Sequence, residues 1–305
     1  MIFGKYRLKD ITDKIGDGIH GSPKYDETGD YYFVNGNNLI DGDIVFKNDT
    51  KRINEEQYLK NKRDLNRNTL LVSINGTLGN VAKYNNEKII LGKSACYINI
   101  KNNYNVDYVY FVFKSPEFKQ YLQYGANGTT IKNVPLSAIR NYEISIPSKT
   151  NQDKIVKILK NIEDKIKLNN KLNSNLYELS VQFLKQYLED DSLEEINVNE
   201  LLNVFTGKKN ANETSPTGKY KFFSCAPDSL LSDTYIFDGP AIIVAGNGAY
   251  TGRTRFYDGK FELYQRTYGL TLKERVNSNN IYGLYIYMKE FFEKEKMGGT
   301  HGSAI

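Results

Sequence analysis

Histidine occurs only twice in the 305 residues, cysteine only twice, and tryptophan not at all. Cys96 and Cys225 stand alone, with no C-x-x-C spacing and no neighbouring histidine, which excludes a disulfide scaffold and a zinc site and leaves two ordinary thiols. His20 and His301 accompany no serine or cysteine in a nucleophile-elbow context, and no H-E-x-x-H spacing occurs, so both read as loop residues. The longest apolar runs, such as Ala241 to Ala245, fall far short of the roughly 20 residues of a membrane helix. The opening stretch Met1 to Tyr6 lacks the basic, apolar and small-residue succession of a signal peptide, and a cytoplasmic protein is expected.

Phosphate-cradle and nuclease signatures are also missing. The glycine-rich stretches Asn75 to Gly79 and Gly246 to Gly252 carry no G-K-[ST] and no helical text immediately after them, so they read as tight β-turns. Pro227-Asp228 lacks the downstream acidic and lysine partners of a metal-dependent nuclease and reads as a turn. No catalytic residue and no metal ligand set is assigned. The net charge of +5 is mild and uneven, with 21 basic and 16 acidic groups in residues 1–150, 7 and 6 in 151–190, and 13 and 14 in 191–305. Such a balance permits nucleic-acid binding through local patches without demanding it. Asn and Lys are abundant in the way A- and T-rich codons produce, so their number is discounted as a binding signal.

What is present is self-similarity. The text "NTLLVSINGTLGNVAKYNNEKIILGKSACYINIK" aligns with "PAIIVAGNGAYTGRTRFYDGKFELYQRTYGLTLK", with one residue inserted in the glycine turn. Asn75-Gly76 falls on Asn247-Gly248 at an offset of 172, and Gly128-Thr129 on Gly299-Thr300 at 171. Leu8 to Ile11 and Val198 to Leu201 are weaker equivalents. The chain reads as two copies of one domain, and these pairs are expected to superpose. Within each copy short β-branched runs and period-two alternation predict strands, and a helix follows. In the first copy Ser115 is the expected N-cap, Pro116 the first helical residue and Gly125 the stop.

Between the copies, Asn151 to Glu189 contains neither proline nor glycine. Ile155, Ile158, Ile162, Ile166, Leu172, Leu176, Leu179 and Phe183 recur at three- and four-residue steps, which predicts one amphipathic helix of roughly 50 Å with a partner helix along its stripe. Asn169 and Asn173 fall on or beside that stripe, as register-setting polar residues or as solvent-facing ones. Two similar polar-looped domains on a stiff spacer suit an extended partner with two sites. Duplex DNA, whose groove faces recur about every 34 to 36 Å, has that geometry.

The domain, long helix, domain order, together with "VPLSAIRNYEISIPSKTNQDKIVKILKNIEDKI", resembles the specificity subunit of type I restriction-modification systems. The most specific element runs from Ile146-Pro147 through Gln152, Ile155, Ile158, Leu159, Ile162 and Ile166, and the resemblance covers essentially the whole chain. It implies an α+β fold: two similar mainly-β target-recognition domains with small helices, at 1–150 and 191–305, separated by one long coiled-coil-type helix at 151–190. Each domain would read half of a bipartite DNA target, and two helical regions would pair antiparallel as the spacer. The subunit itself would carry no catalytic residue and no cofactor. Its partners would be double-stranded DNA, two methylation subunits that methylate adenine with S-adenosylmethionine, and ATP- and Mg-dependent restriction subunits. By the repeat offset Ile305 corresponds to Val134, so the second domain is expected to be C-terminally incomplete and the distal helix absent. The central stripe would then pair with a second copy, dock on a methylation subunit or stay exposed.

Loop composition supplies the candidate DNA contacts. They are Lys24, Tyr25, Asn37, Lys51, Arg52, Thr129, Thr130 and Lys132 in the first copy, and Lys208, Lys209, Arg253, Arg255, Arg266 and Thr300 in the second. Arginines in polar loops suit bidentate guanine or phosphate contacts, although solvated surface charge is an equal reading of each. Thr129 and Thr300 recur beside glycine in both copies, which favours folding or phosphate contact over base choice. The alternative function is an assembly or regulatory protein that pairs through its helix without productive DNA binding. An enzyme is disfavoured, because no S-adenosylmethionine loop, no N-P-P-[FY] stretch and no paired-carboxylate site is found.

Overall fold

The computed structural model describes residues 3–128, 132–189, 196–273 and 281–296. The chain divides into two compact units, residues 1–167 and 168–305, with the division falling inside one long helix.

The first unit runs β1 (Phe3–Arg7), β2 (Thr12–Asp17), β3 (Tyr31–Val34), β4 (Leu39–Ile40), β5 (Asp43–Ile44), β6 (Arg52–Ile53), α1 (Glu55–Asn61), β7 (Thr69–Ser73), β8 (Val81–Lys83), β9 (Ile89–Leu91), β10 (Ala95–Ile100), α2 (Val106–Lys114), α3 (Pro116–Gly125), α4 (Leu136–Asn141), β11 (Glu143–Pro147) and the start of α5 (Lys149–Leu188). One sheet is ordered β2-β10-β7-β8 and another β6-β3-β9. Strand β7 is buried at every position because it feeds two cores. Leu70 and Val72 pack with Ile15, Ile98, Phe113 and Phe118 under the helices, whereas Leu71 packs with Val34, Leu91 and Tyr97 on the other side. This two-sided burial is why its centre, Leu70 to Val72, is an unbroken apolar run.

The helical text after β10 forms two helices where the sequence signals one. Asn105 caps α2, accepting from the Asp107 and Tyr108 amides, and Ser115-Pro116 then stops α2 and starts α3. The Ser115 hydroxyl accepts from the Phe118 amide at 3.2 Å, and α3 ends at Gly125 as its sequence predicts. The unit is closed by β1 pairing antiparallel with β11 and by α4, whose Arg140 Nη2 donates to the Ile15 carbonyl at 3.1 Å.

The second unit runs from the end of α5 through α6 (Val198–Leu201), β12 (Leu202–Thr206), β13 (Tyr220–Phe223), β14 (Leu230–Ser232), β15 (Phe237–Ala245), β16 (Thr254–Leu263), β17 (Thr267–Leu272) and α7 (Ile281–Lys296). Its sheet is ordered β12-β17-β15-β16-β13-β14. That is the order of the first unit once β8 and β9 are taken as the two halves of β16. The registers coincide as well. Val72 faces Cys96 and Leu70 faces Ile98, while Val244 faces Tyr268 and Ile242 faces Leu270, all at an offset of 172. The parallel pair Val34 with Leu91 recurs as Phe223 with Leu263. Gly76 and Gly248 both take positive φ, 73° and 79°, which explains why each turn carries glycine there.

One cross-strand pair is filled in opposite senses. In the first unit Tyr97 on β10 lies over Gly16 on β2, so a methyl group at Gly16 would stand 2.7 Å from the tyrosine hydroxyl. In the second unit the equivalent positions hold Gly269 on β17 and Phe205 on β12, and the ring again covers the glycine.

Helix α5 has 40 residues, about 60 Å at 1.5 Å per residue. Its first turns are pinned to the first unit. Gln152 is 2% exposed; its Oε1 accepts from the Asn105 amide at 2.9 Å and its Nε2 donates to the Pro147 carbonyl at 2.9 Å. Glu163 accepts from Tyr110 Oη at 2.7 Å and from Lys114 Nζ at 2.6 Å. Burial alone would raise the Glu163 pKa, but these two donors outweigh it and hold the carboxyl below its ordinary value. Lys167 pairs with Asp43 at 2.6 Å. The last turns are fixed to the second unit, where Tyr177 Oη donates to Glu290 at 2.9 Å beneath the Lys289 ammonium and Val181 is buried.

The predicted stripe therefore belongs to a different face from the anchoring one. Ile155 is half-buried, but Ile158, Ile162, Ile166, Leu172, Leu176, Leu179 and Phe183 are 47% to 63% exposed. Within the chain, α5 meets its own units through Gln152, Val156, Glu163, Tyr177 and Val181, so this stripe makes no comparable packing with them.

Candidate DNA interface

In the first unit, strand pairing gathers several of the expected contacts. Arg52 stands opposite Tyr32 on the β3–β6 pair; its guanidinium carbon is 5.1 Å from the Tyr32 ring centroid, and its Nη2 donates to the Tyr32 hydroxyl at 3.0 Å. The Tyr32 ring also stacks on exposed Phe46, with centroids 4.1 Å apart. One residue away, the Lys51 ammonium lies 6.0 Å from the ring of exposed Tyr25, which leans on Phe33. Two cation–aromatic clusters thus sit on successive residues of β3, whose side chains alternate between the faces of the sheet, and both cations remain exposed to solvent. Lys24 is held in the same loop by its amide, which donates to Gln57 on α1. Asn37 is exposed in the short turn Gly36–Asn38, and Lys132 is exposed beside the glycine turn, its carbonyl accepting from the Gly76 amide at 3.1 Å.

In the second unit, Arg253 and Arg255 leave the equivalent glycine turn along β16. The Arg253 guanidinium stacks on Tyr250 at 4.0 Å, and its Nη1 is buried with no hydrogen-bond partner. Arg255 lies over Phe223 and donates to the Ala226 carbonyl. Burial and then the Arg253 charge hold the Arg255 pKa below its ordinary value. Neither arginine forms a salt bridge among the described residues, although the Asp228 carboxylate acts on Arg255 from farther away, and two adjacent cations are a favourable place for an anion. The matching residues of the first unit, read from strand pairing, are Asn80 and Ala82, so the charge is particular to the second unit. Arg266 and Lys208 are exposed.

Lys209 is placed differently from the other candidates. Its ammonium turns inward to Thr234 at 2.6 Å and Ser232 at 3.1 Å, with Glu262 at 3.7 Å. Thr129, Thr130 and Thr300 lie outside the described residues. Tyr32, Phe46 and Tyr250 take part in these clusters and were not among the sequence candidates. A signal existed for Tyr250, three residues before Arg253 in the turn, but the pairing of Arg52 with Tyr32 needs the strand register. Among the described residues no group of three or more His, Cys, Asp or Glu side chains could hold a metal ion.

A family model, the type I restriction modification DNA specificity domain, matches residues 3–178 and 191–305. The chain belongs to that family. Among proteins of the specificity-domain family, it is 40% identical over 73 residues to the type I restriction enzyme EcoDI specificity subunit of Escherichia coli, a match covering 24% of this chain and 16% of that one. It is 26% identical over 190 residues to the type I restriction enzyme MjaIX specificity subunit of Methanocaldococcus jannaschii, covering 60% and 43%. These matches span less than half the length of either relative. The fold is similar to that of a type I restriction-modification S subunit from M. genitalium, with a TM-score of 0.56 at 18% identity, covering 97% of this chain and 80% of that one. The specificity-domain match falls on both units, in keeping with the shared strand order and register.

Proposed function

We propose that the chain is a non-catalytic DNA-reading subunit of a type I restriction-modification complex, in which each unit reads one half of a bipartite target. The observation that carries this reading is the repeated strand order and register. It gives the chain two versions of one scaffold that carry different exposed side chains. The first version offers Tyr25, Lys51 and Arg52, and the second Arg253, Arg255 and Arg266. In this reading residues 1–150 and 191–305 are the target-recognition domains, residues 151–190 the spacer, and the protein works in the cytoplasm. Two methylation subunits supply adenine methylation with S-adenosylmethionine, and restriction subunits supply ATP- and Mg-dependent cleavage. No described helix is long and apolar enough to cross a membrane.

The test is to map adenine methylation in a host carrying the gene with its methylation subunit, and then to repeat the map for Arg253→Ala. A bidentate base contact predicts a loss of about 1 to 3 kcal/mol in duplex affinity with relaxed choice at one position of one half-site. A uniform loss across sequences would place Arg253 on phosphate. A single undivided target motif would refute the bipartite reading.

The exposed α5 stripe favours a second reading, in which the chain pairs through this helix as an assembly or regulatory protein without productive DNA binding. Salt dependence separates the two, since a reader with several phosphate contacts loses duplex affinity steeply as salt rises.

A further inference from the structure

The first unit contains a cleft of about 680 Å³ that shares no residue with the glycine turn or with the Tyr25, Lys51 and Arg52 group. Its lining comes from β2, from α1 and the chain leaving it, and from Tyr84 and Tyr97. The fold does not require it. Helix α1 has no counterpart in the second unit, where Ser232, matching Ile53, is followed directly by the short connection to β15. Positions Lys14, Asp17 and Tyr97 of the cleft correspond through the shared register to Asn203, Thr206 and Gly269. A feature added to one copy of a shared scaffold, with its own chemistry, needs an explanation other than folding.

That chemistry is specific. Lys14 and Lys62 are exposed at the cleft and, like Arg63, form no salt bridge among the described residues. Arg63 is fixed in place by its Nε, which donates to the Asp17 carbonyl at 3.1 Å and leaves the guanidinium fork for another acceptor. Two carboxylates also line the cleft, Asp17, which is occupied by His20 at 2.9 Å, and the exposed Asp64, so the three cations outnumber them by one. Three tyrosines complete the lining. Tyr97 is buried against Gly16, Tyr58 stacks one face on Tyr31 at 4.2 Å, and Tyr84, half-buried, is fixed by its hydroxyl, which donates to the Glu87 carbonyl at 3.1 Å. Cations suit a phosphate, above all a guanidinium fork, and aromatic faces suit a base; the volume lies within the range of small-molecule sites.

The geometry points to a binding site for a nucleoside phosphate, with the phosphate on Lys14, Lys62 and Arg63 and the base against the half-buried Tyr58 and Tyr84 rings. This goes beyond the DNA-reading proposal and stands without it, because a free nucleotide and an unpaired nucleotide of a strand offer the same chemistry.

The test uses the full chain and AMP, with adenosine and inorganic phosphate as separate probes, followed by saturation-transfer NMR. AMP should bind more tightly than either fragment. Lys14→Glu with Lys62→Glu should weaken AMP binding by roughly ten- to hundredfold, the effect of losing charge-assisted contacts. Lys62→Arg should retain it. Circular dichroism establishes that the double variant is folded; should it not be, Lys62→Ala, at an exposed helix end, is expected to lose about tenfold on its own. A single-stranded oligodeoxyadenylate that displaces AMP at lower concentration than AMP itself identifies the ligand as a nucleotide of a strand, and failure to displace identifies it as free nucleotide. No AMP signal at millimolar concentration, or equal binding by the folded glutamate variant, overturns the proposal. Duplex binding measured on the same samples reports on DNA reading separately.

Discussion

Replacing Gln152 with alanine should loosen the joint between α5 and the first unit, and the size of the effect follows from its two hydrogen bonds. The Pro147 carbonyl it satisfies is buried, so losing the amide leaves an acceptor stripped of water, at a cost of about 2 kcal/mol. The Asn105 amide is only half-buried and can recruit solvent, which puts its share nearer 1 kcal/mol. Alanine returns a few tenths of a kcal/mol through its better helix propensity. The net loss is therefore about 2 to 3 kcal/mol, which for a unit of this size lowers the melting temperature by roughly 4 to 12 °C. Calorimetry of the full chain reads this directly, and the loss belongs to the transition of the first unit alone. A loss below about 0.5 kcal/mol, the ordinary scatter of surface substitutions, would refute the pinning argument. An equal fall in both transitions would refute its locality.

Two further outcomes are expected. Glu163 titrates below its ordinary value in the folded chain, so its contribution to stability is complete above the ordinary carboxylate pKa and is lost as pH falls through the lower folded value. Glu163→Gln should flatten the acid limb of a stability-against-pH curve, and an unchanged limb would contradict the Tyr110 and Lys114 assignment. Ile162→Asp with Leu176→Asp should abolish any self-association or methylation-subunit capture through α5 while both units stay folded. Sedimentation showing the unmutated chain as a monomer that captures no methylation subunit would count against the stripe as a pairing surface.

Much of the scaffold was legible because its signals are local or repeated. The offset of 172 identified which residues of the two units are equivalent, and Ser115, Pro116 and Gly125 marked α3. What could not be read depends on partners distant in sequence. Leu70 and Leu71 are adjacent and alike, yet enter different cores, because only the sheet decides which side each faces. Lys209 looked like a free loop cation until Ser232, Thr234 and Glu262, from elsewhere in the unit, turned its ammonium inward. The helical period located the α5 stripe but could not separate it from the neighbouring anchoring face, since Ile155 and Val156 sit side by side and pack to different degrees. The cleft of the first unit was invisible because Lys14, Lys62 and Tyr84 are brought together only by the α1 insertion.

The exchange of ring and glycine between the two units bears on how such proteins can be recombined. A graft that carries β10 alone into the second unit would set Tyr97 against Phe205, two rings competing for one space. Carrying β17 alone into the first would set Gly269 against Gly16 and leave a hole where Tyr97 had been. Moving both strands of the pair together keeps one ring and one glycine. The smallest interchangeable part of this scaffold is therefore the strand pair, and crossover points that divide β2 from β10, or β12 from β17, should yield chimaeras that fold poorly however well their loops are chosen.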